Sequence, residues 1–437
     1  MNHNSTIITR VRALFNTDLI KVSFLNGIAT LIRMLTGFIS IKVVASIIGP
    51  TGIALLGQLN NFATILLTIA NGGITAGVTK YVSENNEAPE KQEAFLSAGF
   101  RITLVLSIVL SIFLFVSSGY LSVSILHNPD FRLVFWFFGA TILIQALCTY
   151  LVSVVNGFKE YRIYVWINIG GSVIGLLFSI LLAVNFGIMG ALIAAVTFQA
   201  AHFLLILYLL HKRPWFSLKH FTQRFDKKSA LQLGQYTLMA LASAITIPAG
   251  QLIVRNMIAG QYGLANAGLW EGVNRISNMY LTVITVSLGV YYLPRLAELK
   301  TKTAIRSEVF KVYKLIIPFL LLSATGIYLF RELIIHILFT QEFSGMKDLF
   351  FYQLIGDILK TTGWVLGYLL IAKAMTRIYI TMELVNFALL FLFSYLLVPV
   401  YGAKGATIAY AGIYAVYLIV LLFVFRKTLF SKLPDQP

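Results

Sequence analysis

The chain has 437 residues, of which 58% are hydrophobic and only 12% are charged, and its mean hydropathy is +0.83. Soluble domains carry about 45–50% apolar and about 25% charged residues, so this composition excludes a soluble globular protein. The apolar runs are continuous over about 20 residues and do not alternate with period two. They therefore predict transmembrane helices and exclude the strands of an outer-membrane barrel.

The net charge of +17 is large enough to suggest a nucleic-acid partner. The lysines and arginines are concentrated in short loops between the apolar runs, however, where they determine the topology of a membrane protein. We therefore predict no nucleic-acid partner.

The motifs of the sequence predict neither a metal centre nor a bound cofactor. The single cysteine, Cys148, lies inside an apolar run, and the six histidines are scattered. This pattern offers neither a disulfide framework nor a thiolate site for a metal ion. The chain also contains neither a Walker A loop nor a glycine-rich dinucleotide motif.

Twelve transmembrane helices are predicted in chain order, in two sets of six. The first set covers residues 22–47, 52–78, 95–117, 134–156, 164–184 and 189–210. The second set covers residues 233–258, 267–293, 312–330, 348–372, 378–398 and 405–425. We therefore predict a six-helix bundle over 1–210, a basic cytoplasmic linker over 211–232 and a second six-helix bundle over 233–437. No small-residue cleavage site is evident near the first helix, so no removable signal peptide is expected.

The positions of the basic residues predict the orientation in the membrane. If the N-terminus is cytoplasmic, the cytoplasmic loops and tails hold most of the 34 lysines and arginines. The outer loops hold Arg132, Arg331, Lys347 and Lys404. This asymmetry is typical of the positive-inside rule, and it predicts that both termini are cytoplasmic.

An internal repeat relates the two halves of the sequence. RIY at 162–164 recurs at 377–379, and FGIMGALIA at 186–194 recurs with the same offset as YGAKGATIA at 401–409. AGV at 76–78 is matched with LGV at 288–290, and Gly52 with Gly263. Two halves of six spans each have the same orientation, which predicts a parallel repeat. Two such bundles with a cleft between them are typical of an alternating-access carrier.

Eight ionisable residues lie within or near the ends of the predicted spans. The basic residues are Arg33, Lys42, Arg255, Arg275 and Lys360, and the acidic residues are Glu271, Asp357 and Glu383. Each charge costs about 2.5–3.5 kcal/mol at a helix centre, so the deep charges are expected to face a cavity or each other. The surplus of bases predicts a cationic central cavity and an anionic substrate.

Depth in the membrane separates seven of these residues into two groups. Arg33, Asp357 and Lys360 lie farthest from the span ends and are expected to line the cavity. The group near the span ends can instead snorkel to water or form local pairs. Its members are Lys42, Arg255, Glu271 and Glu383.

Helical spacing adds further expectations. Asp357 and Lys360 share a helix face, and so do Glu271 and Arg275 of the segment WEGVNRISN. The second pair is predicted to lie at the outer end of its span, where its charges can satisfy each other. Arg33 and Lys42 are out of phase on a straight helix, and a bend at Gly37 is needed for both to face one cavity.

Five segments of the chain resemble a family of transporters. They are IIGPTGIALLGQ (47–58), NGGITAGVTKYVSE (71–84), QLGQYTLMALASAITIPAG (232–250), VSLGVYYLPRLAEL (286–299) and QLIGDILKTTGWVLGYLLIAKA (353–374). The family is that of the Wzx-type polysaccharide repeat-unit flippases, which includes the O-antigen translocases and the enterobacterial common antigen lipid III flippases. These belong to the multidrug/oligosaccharidyl-lipid/polysaccharide (MOP) exporter superfamily. The resemblance implies an all-α, MATE-like membrane fold without a cofactor.

The resemblance also implies a substrate and a mechanism. The substrate is an undecaprenyl-pyrophosphate-linked oligosaccharide repeat unit, moved from the inner to the outer leaflet of the bacterial inner membrane by alternating access. Membrane lipid and the polymerase and chain-length proteins of the same pathway are the implied partners. Residues of like charge are implied at the positions of Arg33, Lys42, Lys80, Asp357 and Lys360, and uncharged residues at Glu271 and Arg275.

Two alternatives to a flippase follow from the membrane-protein class. A multidrug or cation antiporter of the same superfamily predicts a surplus of acids in the spans, whereas the surplus here is basic. A membrane glycosyltransferase or polymerase requires a sizeable outer loop with carboxylates. The outer loop 118–133 offers only Asp130 and Arg132, so a transporter is favoured over an enzyme.

Overall fold

The computed structural model describes residues 18–430 except 222, 224, 225 and 374. All the regular elements in this part of the chain are helical, which confirms the predicted all-α class. The first half contains α1 (Asp18–Ala70), α2 (Thr75–Glu84), α3 (Pro89–Val116), α4 (Ser118–Leu126), α5 (Arg132–Gly157), α6 (Tyr161–Leu210) and α7 (Leu218–Phe221). The second half contains α8 (Lys227–Ser287), α9 (Leu293–Glu298), α10 (Lys302–Leu329), α11 (Arg331–Leu338), α12 (Phe350–Ala372), α13 (Thr376–Tyr401), α14 (Ala403–Val424) and α15 (Arg426–Phe430).

Eight helices in the described residues are long and apolar enough to cross a membrane. This finding confirms a multi-pass membrane protein. α1 and α6 are among the eight, and each contains two of the predicted spans. α8 contains two more of the predicted spans and is richer in polar residues. Two points stay predictions: each of the twelve predicted spans crosses the membrane, and both termini are cytoplasmic.

The three longest helices are each interrupted at a glycine. The backbone of α1 leaves helical geometry at Gly49, that of α6 at Gly187 and that of α8 at Gly263. In α6 the two segments form a helical hairpin, because Gly171 lies against the His202 ring and Gly175 against the Phe198 ring. The interruptions lie at the predicted connections between consecutive spans.

The backbone agrees with the predicted internal repeat at one matched pair of glycines. Gly187 has φ 57° and ψ −135°, and its counterpart Gly402 has φ 59° and ψ −138°. Residues with a Cβ atom rarely adopt this conformation. The pairing of Gly52 with Gly263 is wrong, because Gly263 has positive φ and the corresponding positive-φ residue of the first half is Gly49.

The connection at 118–133, predicted to be an outer loop, is largely helical. It consists of α4 followed by a 3-10 turn at Pro129–Phe131. The Ser118 hydroxyl accepts hydrogen bonds from Trp136 Nε1 at 2.9 Å and Arg132 Nε at 3.2 Å, and both donors lie on α5. The same arrangement recurs in the second half, where α11 precedes a 3-10 helix at Gln341–Asp348.

The described chain packs into two compact units. The first contains the residues up to Ser40 and Leu66–Ala240, and the second contains Ile41–Ile65 and the residues from Leu241 onward. Residues 41–65 thus pack with helices of the second half of the chain. The internal repeat predicts that the chain divides into two bundles at residues 211–232, and this division stays a prediction.

The connection 211–232 is docked onto the first unit where it is described. Trp215 stacks on Phe158 with 4.5 Å between ring centroids and donates a hydrogen bond from Nε1 to Glu160 at 2.7 Å. Arg213 forms an ion pair with the same carboxylate at 3.2 Å. Phe221 is buried in the core of this unit. These contacts hold this part of the basic connection against the first bundle.

Candidate polar sites of the second unit

Asp357 is the most deeply buried of the predicted site residues, with no solvent-exposed surface. It lies on α12, and its carboxylate accepts hydrogen bonds from the hydroxyls of Tyr280 on α8 and Tyr410 on α14, both at 2.8 Å. Gln353, one turn earlier on α12, approaches the same carboxylate at 3.5 Å. The carboxylate is therefore a point at which three helices are joined by polar contacts.

Lys360 follows Asp357 by one turn and lies inside a cage of aromatic rings. Its Nζ is 4.8 Å from the ring centroid of Trp364, 5.3 Å from that of Tyr410 and 5.4 Å from that of Tyr414. The ring faces attract the ammonium through their quadrupoles. Among the residues that the structure describes, Nζ has no hydrogen-bond acceptor and no carboxylate within ion-pair distance.

A cavity of about 350 Å³ opens beside this cage within the second unit. Lys360 and Glu383 both line it, so the structure brings together two charges that are distant in the sequence. Glu383 accepts a hydrogen bond from the Thr246 hydroxyl at 3.4 Å. Four amide side chains also line the cavity, those of Gln251, Asn274, Asn278 and Asn386.

A second polar cluster contains Arg255, Glu271 and Arg275. Arg255 is 1% exposed and donates from Nη2 to one oxygen of Glu271. Arg275 Nε donates to the other oxygen at 3.1 Å. The predicted pair of Glu271 and Arg275 is therefore confirmed, but its carboxylate is shared with a third charge that helical spacing could not indicate. Of the two alternatives predicted for Arg255, the structure shows the local pair and not snorkelling, because its guanidinium is enclosed by protein.

The segment 41–65 contributes to this cluster. Arg255 Nη1 donates to the side-chain oxygen of Gln58 at 3.1 Å. This close packing requires a glycine at position 57, because a Cβ atom on Gly57 would lie 2.5 Å from the carboxyl carbon of Glu271. Within the second unit, the guanidinium and carboxylate are thus enclosed on one side by helix α1.

Lys42 caps the end of a helix, and Arg33 belongs to the first unit. The Lys42 ammonium donates to the backbone oxygens of His336 at 3.0 Å and Phe339 at 2.7 Å, which places it at the C-terminal end of α11. Arg33 belongs to the first unit, where it donates to Asn168 at 2.6 Å and stays exposed. α1 keeps helical φ and ψ at Gly37 and leaves helical geometry at Gly49, so a bend at Gly37 stays a prediction.

The sequence reasoning missed the aromatic and amide residues around Lys360. A signal was present for two of the contacts, because Trp364 follows Lys360 by four residues and Tyr414 follows Tyr410 by four. Such pairs lie on one helix face. The partnership between α12 and α14 has no such signal, since it depends on how two distant helices pack.

Gly356 controls the approach of these two helices, and this gives a test of the packing. A Cβ atom at Gly356 would lie 2.2 Å from Cδ1 of Tyr410. We expect Gly356→Ala to displace the Tyr410 ring and to lower the free energy of unfolding by about 1–3 kcal/mol. Thermal unfolding in detergent measures the change.

Gly326→Ala on α10 is the matched control, because a Cβ atom at that position would have nothing within 4 Å. An alanine in a helix interior is expected to leave the stability unchanged or to raise it by about 0.5–1 kcal/mol. Equal unfolding midpoints for the two variants contradict the tight contact between α12 and α14.

Comparison with known proteins identifies relatives of the chain. The family described as "Polysaccharide biosynthesis protein" matches residues 19–300. The chain is 32% identical over 408 residues to the protein named lipid III flippase of Escherichia coli (strain K12), covering 93% of this chain and 98% of the relative. The same values hold for the lipid III flippase of Shigella flexneri.

Solved structures share the fold at low sequence identity. An inward-facing multidrug resistance MATE family transporter of the MOP superfamily matches with a TM-score of 0.76 and 14% identity, covering 91% of this chain and 94% of that one. The lipid II flippase MurJ in an inward closed conformation matches with a TM-score of 0.73 and 15% identity, covering 92% and 87%. These matches confirm the predicted MATE-like fold.

Proposed function

This chain belongs to the polysaccharide biosynthesis protein family, and from that premise we propose that it is a flippase for a lipid-linked oligosaccharide. The substrate is an undecaprenyl-pyrophosphate-linked repeat unit, which the protein moves from the inner to the outer leaflet of the bacterial inner membrane. Two relatives of the chain are named lipid III flippases, and these names support the proposed transport of a lipid-linked oligosaccharide. We therefore propose that the protein is a transporter and not an enzyme.

The observation that supports the proposal most strongly is the position of Lys360. A charged side chain within a transmembrane segment is costly, and such residues generally face a cavity and mark a pathway for a substrate or an ion. Aromatic rings stabilise the Lys360 ammonium but leave its three N–H groups without an acceptor among the described residues. An acceptor on a substrate that enters the adjoining cavity supplies the missing hydrogen bonds.

The cage also argues against the alternative of a multidrug or cation antiporter. Aromatic cages recognise cationic ligands through the negative faces of their rings. Here those faces are directed at the protein's own ammonium, which repels a second cation. A substrate that carries oxygen acceptors fits this site better than a cationic drug.

The proposed movement is favoured by the membrane potential. A pyrophosphate carries about two negative charges, and moving them out of a negative interior at ~100 mV gains about 4.6 kcal/mol. Arg33 is the candidate for binding the pyrophosphate, because it is exposed and its guanidinium can donate two parallel hydrogen bonds. The pathway polymerase and chain-length proteins stay predicted partners.

A complementation experiment tests the role of Lys360. Deletion of the gene is expected to cause a lipid-linked oligosaccharide to accumulate in the inner leaflet, and the wild-type gene is expected to clear it. We expect Lys360→Ala to clear it at least about tenfold more slowly, because a charge-assisted hydrogen bond contributes about 1.5–3 kcal/mol. Labelled lipid-linked oligosaccharide extracted from membranes measures the accumulation.

Lys404→Ala is the matched control. Lys404 also lies over a tyrosine ring, that of Tyr352 at 5.7 Å, but it is exposed and outside the cavity lining. It is expected to complement fully. Full complementation by Lys360→Ala at equal protein levels contradicts the proposed site, and a deletion strain that accumulates no lipid-linked oligosaccharide contradicts the proposed function.

A further inference from the structure

We propose that the cavity beside Lys360 binds an uncharged sugar ring of the transported molecule and does not bind its pyrophosphate. The proposal rests on the proposed function for the source of the sugar. It assigns the two chemically different parts of the substrate to different places on the protein, and it makes the cavity a determinant of which glycan is accepted.

The walls of the cavity match the faces of a sugar ring. Trp364, Tyr410, Tyr414 and Tyr417 line it, and neighbouring tyrosines contact each other edge to face at centroid distances of 4.9 and 6.1 Å. A pyranose ring presents C–H groups on its faces and hydroxyl groups around its rim. Its faces therefore pack on aromatic rings, whereas a pyrophosphate has no apolar face to bury.

The polar groups of the lining match the rim of such a ring. Trp270 and Asn274 both line the cavity and are more than nine-tenths buried. Within the described part of the chain, Trp270 Nε1, Asn274 Nδ2 and Asn386 Oδ1 have no hydrogen-bond partner. Buried polar groups are normally paired, so two donors and one acceptor at one cavity point to a ligand that offers both kinds of group. Hydroxyl and acetamido groups do so, and a fully ionised phosphate offers acceptors alone.

The balance of charge also disfavours a pyrophosphate. Lys360 is accompanied by the Glu383 carboxylate on the cavity lining and by the buried Asp357 carboxylate one turn away. The predicted spans together contain more basic than acidic residues, but the surroundings of this cavity do not. A group with about two negative charges would meet the Lys360 ammonium beside the Glu383 carboxyl group, with the Asp357 carboxylate behind them, whereas an uncharged sugar can use Lys360 as a donor and Glu383 as an acceptor.

The volume limits the ligand further. Small-molecule pockets span about 300–1,000 Å³, and about 350 Å³ lies at the lower end of that range. The cavity has room for roughly one or two sugar rings and not for a repeat unit together with its pyrophosphate.

Binding of soluble probes to the full-length purified protein tests the assignment. The protein is held in a detergent without a sugar headgroup, and saturation-transfer difference NMR measures contact with N-acetylglucosamine and methyl glucoside. Inorganic pyrophosphate is added as a competitor. We expect saturation transfer to both sugars, with no displacement by pyrophosphate.

Two variants localise the binding, and two matched variants control for it. Trp364→Leu and Asn386→Ala are each expected to weaken sugar binding about threefold to tenfold, the equivalent of one lost contact or hydrogen bond. Trp166→Leu and Asn185→Ala change the same residue types at exposed positions of the first unit, and they are expected to bind as the wild type does. Thermal unfolding confirms that every variant compared is folded.

The outcomes separate this proposal from the proposed function. Absence of saturation transfer in the folded wild type, displacement of sugar by pyrophosphate, or undiminished binding by both cavity variants overturns the sugar site. None of these results changes the accumulation measured in the deletion strain. One further outcome is that the purified protein binds sugar while the deletion strain accumulates no lipid-linked oligosaccharide. That combination supports the sugar site and contradicts the proposed flippase function.

Discussion

Glu271→Ala is expected to lower the free energy of unfolding by about 3–5 kcal/mol. The Glu271 carboxylate accepts hydrogen bonds from both Arg255 and Arg275, and Arg255 is 1% exposed. Removing the carboxylate leaves the Arg255 guanidinium buried without its compensating charge. The midpoint of thermal unfolding in detergent, and the amount of protein recovered from membranes, measure the loss.

Two further variants show whether the unpaired charge is the cause. Combining Glu271→Ala with Arg255→Met removes both charges and is expected to restore part of the stability, since apolar replacements of a buried pair are often neutral. Glu298→Ala breaks the exposed pair with Arg295 at 3.2 Å and is expected to change stability by about 0–1 kcal/mol. A Glu271→Ala variant as stable as the Glu298→Ala variant contradicts the buried network.

Asp357→Ala is expected to abolish complementation and to lower stability as well. The substitution leaves the hydroxyls of Tyr280 and Tyr410 without their acceptor, at about 1–3 kcal/mol for each buried group. It also releases the Tyr410 ring, which forms one side of the Lys360 cage. Transport and the thermal unfolding midpoint are measured on the same preparations.

Asp357→Asn distinguishes the carboxylate's charge from its hydrogen bonds. Asparagine keeps one oxygen acceptor, so we expect this variant to retain more stability than Asp357→Ala. Adding Tyr280→Phe and Tyr410→Phe to Asp357→Ala removes the unpaired hydroxyls and is expected to recover stability without recovering transport. An Asp357→Ala variant with wild-type stability and transport is incompatible with the role described for this carboxylate.

The sequence predicts the class of fold well because membrane insertion imposes local rules. Apolar runs, basic loops and the two copies of the glycine motif each act over a short stretch of chain. The helical class and the multi-pass character are confirmed, and the two glycines of the repeat have the same backbone conformation. The helix α4 inside the connection 118–133 was missed because a short apolar helix and a membrane-proximal loop have similar hydropathy. Most boundaries also differ by several residues, since helices such as α8 and α10 continue into polar sequence.

The candidate sites are predictable only where both partners lie on one helix. Spacing indicates Glu271 with Arg275 and Asp357 with Lys360. Arg255 is joined to Glu271, and Lys42 to the end of α11, by the packing of separate helices, which single-sequence patterns do not contain. For the same reason, the surplus of bases predicts an anionic substrate but does not reveal that Glu383 shares a cavity with Lys360.

The matched backbone of Gly187 and Gly402 has an evolutionary consequence. The two halves of the chain share few identical residues. Each nevertheless has a glycine with nearly the same φ and ψ shortly after its fifth predicted span. A residue with a Cβ atom is strained by roughly 1–3 kcal/mol in this positive-φ, extended conformation, so replacing either glycine is expected to destabilise the turn that contains it. The matched pair is therefore what an origin of the two halves by gene duplication would leave behind, since each copy needs a glycine at this turn.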